Sequence, residues 1–162
     1  MTTAAGTTVT VSGTYPRKLS FKGGKSVQVR PMTYEDADAL HHFFCAIPEE
    51  DLLFLRRDVT DRDVIEAWAQ DVALGRTFTL LAERNGELVG EASIHRSQVP
   101  WTSHVGEIRV VVGASDRAHG LGTALVISTN TVAHHITSIF NKSGAANRTE
   151  AAAYALRRGL VS

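Results

Sequence analysis

The sequence predicts an α/β domain with a mixed, mostly antiparallel sheet over residues 9–122, followed by a helical tail. Two observations lead to this prediction. Short segments with β-type alternation recur up to residue 112 and enclose two amphipathic helical segments. Beyond residue 122 no segment has strand patterning. A chain of 162 residues can bury one sizeable core, which favours one domain, or one domain with a small appendage.

The N-terminal elements are short. Residues 1–14 are rich in Thr, Ala and Gly and are predicted to be disordered in the main, although Val9–Ser12 has the pattern to pair with Arg17–Lys22 as a hairpin. The alternation over Ser26–Arg30 predicts a further strand. These residues therefore predict one edge of the sheet.

Two capping boxes mark the predicted helices. Thr33-Tyr34-Glu35-Asp36 opens a helix that is expected to run to about Phe44. Thr60-Asp61-Arg62-Asp63 opens a second helix, which is expected to run to about Leu74 and to end at Gly75.

Three strands follow the second helix. Thr77–Glu83 and Leu88–His95 flank Asn85-Gly86, a dipeptide that strongly indicates a two-residue hairpin turn. Pro100–Ser103 is predicted to be a loop, and Val105–Val112 is an apolar β-type run. The predicted order from Ser26 onward is therefore strand, two helices and three strands.

A Gly-containing turn follows the last strand and opens a helix. Its residues are Arg117-Ala118-His119-Gly120-Leu121-Gly122. Such a turn aligns backbone N–H groups at the positive end of a helix, and its glycines leave space for the close approach of a phosphate. The alternative interpretation is an ordinary Gly-rich connection between a strand and a helix.

This run resembles the acetyl-CoA-binding motif of the GNAT N-acetyltransferases, whose pattern is Arg/Gln-x-x-Gly-x-Gly/Ala after a strand. Arg30-Pro31-Met32-Thr33 and Val89-Gly90-Glu91-Ala92 are also typical of that family. The resemblance covers residues 15–126. It implies the acyl-CoA N-acyltransferase fold, acetyl-CoA as co-substrate and an amine as acceptor, without identifying that amine.

The GNAT resemblance assigns acetyl-CoA binding to the turn and to the strand before it. The valines of the strand would offer backbone groups to the pantetheine arm, and the turn would hold the phosphates. The residues so implied are Val110, Val111, Val112, Arg117, His119, Gly120, Leu121, Gly122 and Thr123.

Acetyl transfer needs a group that takes a proton from the attacking amine. Glu107 and Glu91 lie on predicted strands beside the turn and are the candidate proton acceptors. The alternative for each is a solvated carboxylate on a strand face. The tyrosine acid and the splayed strand of the family's second half have no counterpart after residue 126. The resemblance therefore implies acetyl-CoA binding with impaired transfer.

The pattern changes after residue 126. Residues 127–132 are β-branched and rich in hydroxyl groups, which weakens a continuous helix. Ser128 or Thr129 is the expected N-cap of a new helix that runs to about Lys142, and a further helix is predicted over residues 147–159.

These tail segments are similar to the C-terminal half of the LuxR-type DNA-binding domain. The quoted stretches are Thr129–Ile136, Ile139–Gly144, Asn147–Ala151 and Arg158–Leu160. The resemblance implies a partial helix-turn-helix over residues 127–162, although Ala133 stands where that family has Lys. The implied contacts to duplex DNA are Thr129, Asn130, Thr131, His134, His135, Lys142 and Arg148.

Two hypotheses of function follow from these resemblances. The first is a truncated GNAT domain over residues 15–126 that binds acetyl-CoA. The alternative is a fragment of a LuxR-type transcriptional regulator, which would bind DNA through residues 127–162 and pair through its last helix.

Composition and residue spacing argue against several other classes of site and partner. Acidic and basic residues number 17 each, so net charge favours neither a nucleic-acid nor a membrane partner. Cys45 is the only cysteine and is predicted to be buried. The histidines of His41-His42 and His134-His135 are not at metal-ligand spacing, so no metal site is predicted. We recognise neither a membrane-spanning run nor a signal peptide, which predicts a cytoplasmic location.

Assembly is constrained by the strand Val105–Val112. It is rich in Val and Ile, and no later segment is predicted to pair with its second edge. Either the helices of residues 129–159 cover that edge or a second chain pairs with it. We expect a homodimer or larger oligomer.

Overall fold

A computed structural model describes residues 15–21, 24–96, 106–129 and 157–158 of the chain. Its five described strands form one sheet in the order β1-β2-β3-β4-β5, and every neighbouring pair is antiparallel. The strands are β1 (Arg17–Phe21), β2 (Lys25–Pro31), β3 (Thr77–Arg84), β4 (Glu87–Arg96) and β5 (Gly106–Val112). The helices are α1 (Ala37–Cys45), α2 (Glu49–Leu52), α3 (Arg62–Ala73) and α4 (residues 121–129). The predicted α/β class with a mostly antiparallel sheet is confirmed.

The β3–β4 hairpin forms the centre of the sheet. Asn85 and Gly86 connect the two strands with φ values of 54° and 82°, as a type I′ turn requires, so the predicted hairpin is confirmed. The register shifts between Ala82 and Glu83, which marks a bulge near the turn.

Helices cover both faces of the sheet, because successive strand residues point to opposite sides. Leu81 packs with α1 and α3 in one core cluster, whereas its neighbours Leu80 and Ala82 pack with α4 in another. The first cluster consists of Met32, Leu40, Phe43, Phe44, Ile47, Val59, Ile65, Trp68, Ala69 and Leu81. The second consists of Val27, Val29, Leu80, Ala82, Val89, Ala92, Leu121 and Leu125.

The first predicted capping box is confirmed. The backbone N–H and the hydroxyl of Thr33 donate to Asp36 Oδ2 at 2.8 and 3.0 Å, and a short 3₁₀ turn over Tyr34–Asp36 leads into α1. Arg30 donates to the same carboxylate at 2.7 and 2.8 Å. The entry to α1 is therefore tied to β2.

The second helix start differs from the prediction by one residue. Asp61, not Thr60, caps α3, and its carboxylate accepts from the N–H of Asp63 at 2.9 Å. Thr60 instead donates to Asp58, whose carboxylate lies two residues back. Gly75 follows α3 with φ of 70°, as expected of a helix-ending glycine.

Other local predictions need correction. The short helix α2 was not predicted, and Cys45 is exposed rather than buried. β1 pairs with β2, and the proposed partner strand Val9–Ser12 lies outside the described residues. The predicted disorder of residues 1–14 and the loop Pro100–Ser103 also lie outside them.

The predicted N-cap at Ser128 or Thr129 is wrong. Both residues lie inside α4, where their hydroxyls donate to the carbonyl oxygens of Ala124 and Leu125 at 2.9 and 2.8 Å. Both are buried. A hydroxyl that bonds to the carbonyl four residues back is compatible with a helix interior, so these residues do not act as caps and α4 continues past residue 126. The helices predicted beyond residue 130 fall outside the described part of the chain, in which only residues 157–158 follow α4.

Ala118 adopts a left-handed backbone conformation with φ of 65°. This conformation costs a residue with a Cβ about 1 kcal/mol or more relative to glycine, offset in part by the greater freedom of an unfolded glycine. We expect Ala118→Gly to leave the free energy of unfolding unchanged or to raise it by up to about 1 kcal/mol, as measured by urea denaturation.

Ala124→Gly is the matched control, because Ala124 lies in the interior of α4. It should lower the free energy of unfolding by about 1 kcal/mol. Equal destabilisation by the two substitutions would contradict the left-handed backbone at residue 118.

Candidate functional site

The turn after β5 leads into the N-terminal end of α4. α4 begins at residue 121, and its N–H groups at residues 121–123 have no helical carbonyl four residues back. The first helical hydrogen bond runs from the N–H of Ala124 to the carbonyl of Gly120 at 3.0 Å. Free donors at the positive end of a helix form a favourable environment for an anion.

The glycines of the turn are not required by packing within the protein. A Cβ on Gly120 would meet no heavy atom within 4 Å, and the residue has φ of 89°. A Cβ on Gly122 would make only an ordinary contact with Val112 at 3.7 Å. The space that these glycines keep open faces outward, which fits the approach of a phosphate group.

A salt bridge to the neighbouring sheet fixes the start of the turn. Both carboxylate oxygens of Asp116 accept from the guanidinium of Arg84 on β3, one of them at 2.9 Å. Asp116 is 1% exposed, and its hydrogen bonds with Arg84 hold the pKa of the carboxyl below its usual range. Sequence analysis missed this pair, since the two residues are 32 positions apart.

Arg117 is engaged on two sides. Its Nε donates to the carbonyl of Val112 at 3.1 Å, and its Nη1 donates to Asp51 Oδ2 on α2 at 2.7 Å. Among the described residues, the ring atom Nδ1 of His119 is buried and has no hydrogen-bond partner.

The remaining cofactor-binding candidates divide between backbone and side-chain roles. The side chain of Leu121 is 1% exposed and packs in the core, so only its backbone N–H is offered to a ligand. Thr123 is exposed on the first turn of α4. Val110 and Val112 pack on the α4 side of the sheet, and Val111 packs on the α1 side. Among the described strands, only β4 pairs with β5.

Glu91 and Glu107 lie on the same face of the sheet but at different heights. In the β4–β5 ladder Glu91 is opposite Val111, and Glu107 is opposite His95. Four residues of strand separate the two rungs, which corresponds to about 13 Å. The two carboxylates therefore cannot both act on one reacting atom.

Glu107 is a salt-bridged surface carboxylate. Its oxygens lie 3.3 Å from Arg109 Nε and 3.9 Å from Arg56 Nη1. The hydrogen bond with Arg109 lowers the pKa of Glu107. These properties match the alternative of a solvated strand-face carboxylate.

Glu91 has the opposite environment. It is 1% exposed, and within the described structure neither of its carboxylate oxygens has a hydrogen-bond partner. Burial raises the pKa of Glu91 to about 8, although the charge of Arg109 acts in the other direction. The solvated alternative is therefore wrong for Glu91. A buried carboxyl with a strongly shifted pKa is a common property of functional sites.

Polar side chains continue along the same face of β4. Ser93 Oγ and His95 Nε2 are hydrogen-bonded at 2.9 Å, and the His95 ring contacts the edge of Trp68 with centroids 5.3 Å apart. Burial lowers the pKa of His95 to about 4, so its imidazole is neutral at pH 7. Sequence analysis missed this row, which the alternation Glu91, Ser93, His95 within one strand could have indicated.

The predicted contacts to DNA are corrected where the structure describes them. Thr129 is fully buried and its hydroxyl is bonded within α4, so it cannot reach a base edge. The other candidates, Asn130, Thr131, His134, His135, Lys142 and Arg148, lie outside the described residues.

In the described ranges, no group of three or more His, Cys, Asp or Glu side chains could hold a metal ion. None of the helices in those ranges is both long and apolar enough to cross a membrane.

Solved structures share this fold. The GNAT domain of S. lividans PAT matches with a TM-score of 0.64 and 19% identity, over 74% of this chain and 72% of that one. The yncA protein of Salmonella typhimurium, solved with its cofactor acetyl-CoA, matches with a TM-score of 0.57 and 21% identity, over 68% and 65%. A ribosomal-protein-alanine N-acetyltransferase from Brucella melitensis matches with a TM-score of 0.55 and 23% identity, over 66% of this chain and 67% of that one.

A family model provides the stronger relationship. The model described as the acetyltransferase (GNAT) family matches residues 37–159. This match continues through most of residues 127–162, where the helix-turn-helix was predicted, and it gives that second resemblance no support. Together with the strand order and the turn before α4, it shows that the chain belongs to the GNAT family of acetyltransferases.

Proposed function

We propose that this protein binds acetyl-CoA at Val110–Val112 and at the turn of residues 117–123, and that it transfers the acetyl group to an amine. The observation that carries the proposal is the open turn between β5 and α4, with Gly120 in a left-handed conformation and free N–H groups behind it. The likeness to structures that contain acetyl-CoA supports the choice of ligand.

The chemistry requires one proton acceptor. The amine nitrogen forms a bond to the acetyl carbon, the C–S bond breaks, and the sulfur leaves as the thiolate or thiol of CoA. The nitrogen must also lose a proton. If the pantetheine arm follows the backbone of Val110–Val112, the thioester comes close to the rung that holds Glu91 and Val111.

We assign the proton acceptor to Glu91. Glu91 holds a proton below its pKa of about 8, and its ionised form, which predominates above that pH, is a stronger base than an ordinary surface carboxylate. Glu107 is the second candidate, but its ion pairs lower its basicity. Since Glu91 is closed off in the free protein, the packing over this rung must open when the substrates bind.

Several sequence predictions remain part of this proposal. They are a cytoplasmic location, a rate of transfer impaired by the change of sequence after residue 126, and a homodimer or larger oligomer in which a second chain covers the second edge of β5. The acceptor amine is not identified. DNA binding is not proposed, since the one described DNA candidate is buried.

The substitutions Gly120→Asp and Gly122→Asp should each abolish acetyl-CoA binding, because the new carboxylate would occupy the space proposed for the phosphates of acetyl-CoA. Isothermal titration at up to millimolar acetyl-CoA measures this. Gly86→Asp is the matched control, because Gly86 also has a positive φ and open surroundings but lies in the β3–β4 turn. Absence of binding by the wild-type protein would contradict the proposed function.

Removal of the proton acceptor should slow transfer by about a hundredfold or more. We expect this loss of kcat for Glu91→Gln and a loss below about tenfold for Glu107→Gln. Release of the CoA thiol over a panel of primary amines measures the rate. The reverse order of the two variants would assign the base to Glu107. No release by the wild-type chain, with acetyl-CoA binding intact, would contradict the proposed transfer and leave only the binding.

The buried carboxyl should also make stability depend on pH. The folded state holds the Glu91 proton up to a pKa of about 8, whereas the unfolded chain releases it near 4.5. The free energy of unfolding should therefore fall as pH rises from about 4.5 to 8, by at most about 1.4 kcal/mol per pH unit. Urea denaturation across this range tests it. Glu91→Gln should lack this component of the slope, and an unchanged slope would contradict the buried carboxyl.

A further inference from the structure

The segment of residues 49–57, here called the strap, is connected to both ends of β5. Asp51 accepts from Arg117, just beyond the C-terminal end of β5, at 2.7 Å. Arg56 lies 3.9 Å from Glu107, near the N-terminal end of the strand. Both contacts involve residues that the proposed function places in or beside the site.

The inner side of the strap packs on the same core as the reacting rung. Leu52 and Leu55 are partly buried against the first core cluster, and so is Val111. Glu91 lies opposite Val111 on that face of the sheet. The strap and Val111 therefore pack against the same core cluster, on the face of the sheet where Glu91 lies.

The outer side of the strap buries little of its surface. Leu53 and Phe54 are 73% and 90% exposed, so they add almost no buried contact between the two anchors. The Asp51–Arg117 ion pair is itself partly exposed, at 30% and 40% for the two side chains. An ion pair with this much solvent access is weak and can be exchanged at low cost.

Arg117 belongs to the turn that is proposed to hold the phosphates of acetyl-CoA. A guanidinium binds phosphate oxygens as well as it binds a carboxylate, and two phosphates can offer more oxygens and more charge than one Asp. The carboxylate of Asp51 and an incoming phosphate would therefore compete for the same N–H donors.

We propose that Asp51 is an internal counter-ion for Arg117 that the phosphates of acetyl-CoA displace, so that co-substrate binding releases the strap from the core cluster that it shares with Val111. This inference rests on the proposed function. Because coupling between sites is reciprocal, a strap that is already released should favour acetyl-CoA binding.

The first test compares Asp51→Asn with Glu50→Gln by titration of acetyl-CoA at fixed ionic strength. Glu50 is exposed on the same helix and carries the same charge, so its substitution controls for a general electrostatic effect. We expect Asp51→Asn to bind acetyl-CoA about two- to fivefold more tightly than the wild type, as the loss of a weak competing ion pair predicts. Glu50→Gln should stay close to the wild-type value.

The second test measures hydrogen exchange of residues 49–57. Acetyl-CoA should speed exchange in the wild type, and Asp51→Asn should exchange fast without it. Affinity of Asp51→Asn equal to or below that of Glu50→Gln, or exchange unchanged by acetyl-CoA, would overturn the inference while leaving the proposed function intact. Absence of acetyl-CoA binding by the wild-type protein would overturn both.

Discussion

The antiparallel register between β4 and β5 determines where each candidate functional group lies. Because side chains alternate across a strand, this register places Glu91 beside Val111 on the α1 and α3 side, and places Gly90 beside Val112 on the α4 side. A slip of one residue would exchange the two sets. The helices on both faces prevent such a slip, since each face buries its own apolar cluster.

The polar row on β4 shows why Glu91 stands apart from its neighbours. Buried polar groups in this layer are otherwise paired: Trp68 Nε1 donates to Thr79 Oγ1 at 3.0 Å, and Ser93 bonds His95. A buried polar group without a partner costs about 1–3 kcal/mol, and more when it is charged. The fold provides hydrogen-bond partners for Thr79, Ser93 and His95 but leaves both oxygens of Glu91 unpaired. It therefore keeps this free-energy cost at one position, the rung beside the proposed thioester site.

Sequence alone predicted the features that depend on near neighbours in the chain. Asn85-Gly86 is sufficient to predict the hairpin turn, and Thr33 and Asp36 form their capping box within four residues. The turn at residues 117–122 is recognisable from its glycines. The predicted start of α3 was wrong by one residue for a local reason as well. The hydroxyl of Thr60 donates a hydrogen bond to Asp58, so Asp61 caps the helix instead.

The missed features depend on distant residues. Arg84 and Asp116 are 32 positions apart, and Asp51 and Arg117 are 66 apart, so neither pair leaves a pattern in a short window. The burial of Glu91 follows from helices that pack over its strand, and alternation alone cannot say which face those helices cover. At Ser128 and Thr129 the local preference was recognised, but burial against the sheet and hydrogen bonds to the preceding turn of α4 outweighed it.

The turn before α4 joins these separate parts of the molecule. Asp116 connects it to β3 through Arg84, Arg117 connects it to α2 through Asp51, and the N–H of Gly113 donates to the carbonyl of Val89 on β4 at 2.9 Å. The β3 and β4 connections belong to the rigid sheet and hold the donors of the turn in place. The α2 connection is the exposed one, and so it is the one that an anion can exchange without disturbing the sheet. The same turn therefore combines a backbone that is proposed to bind an anion with one exchangeable side-chain contact, and that contact leads to α2, which packs on the face where Glu91 lies.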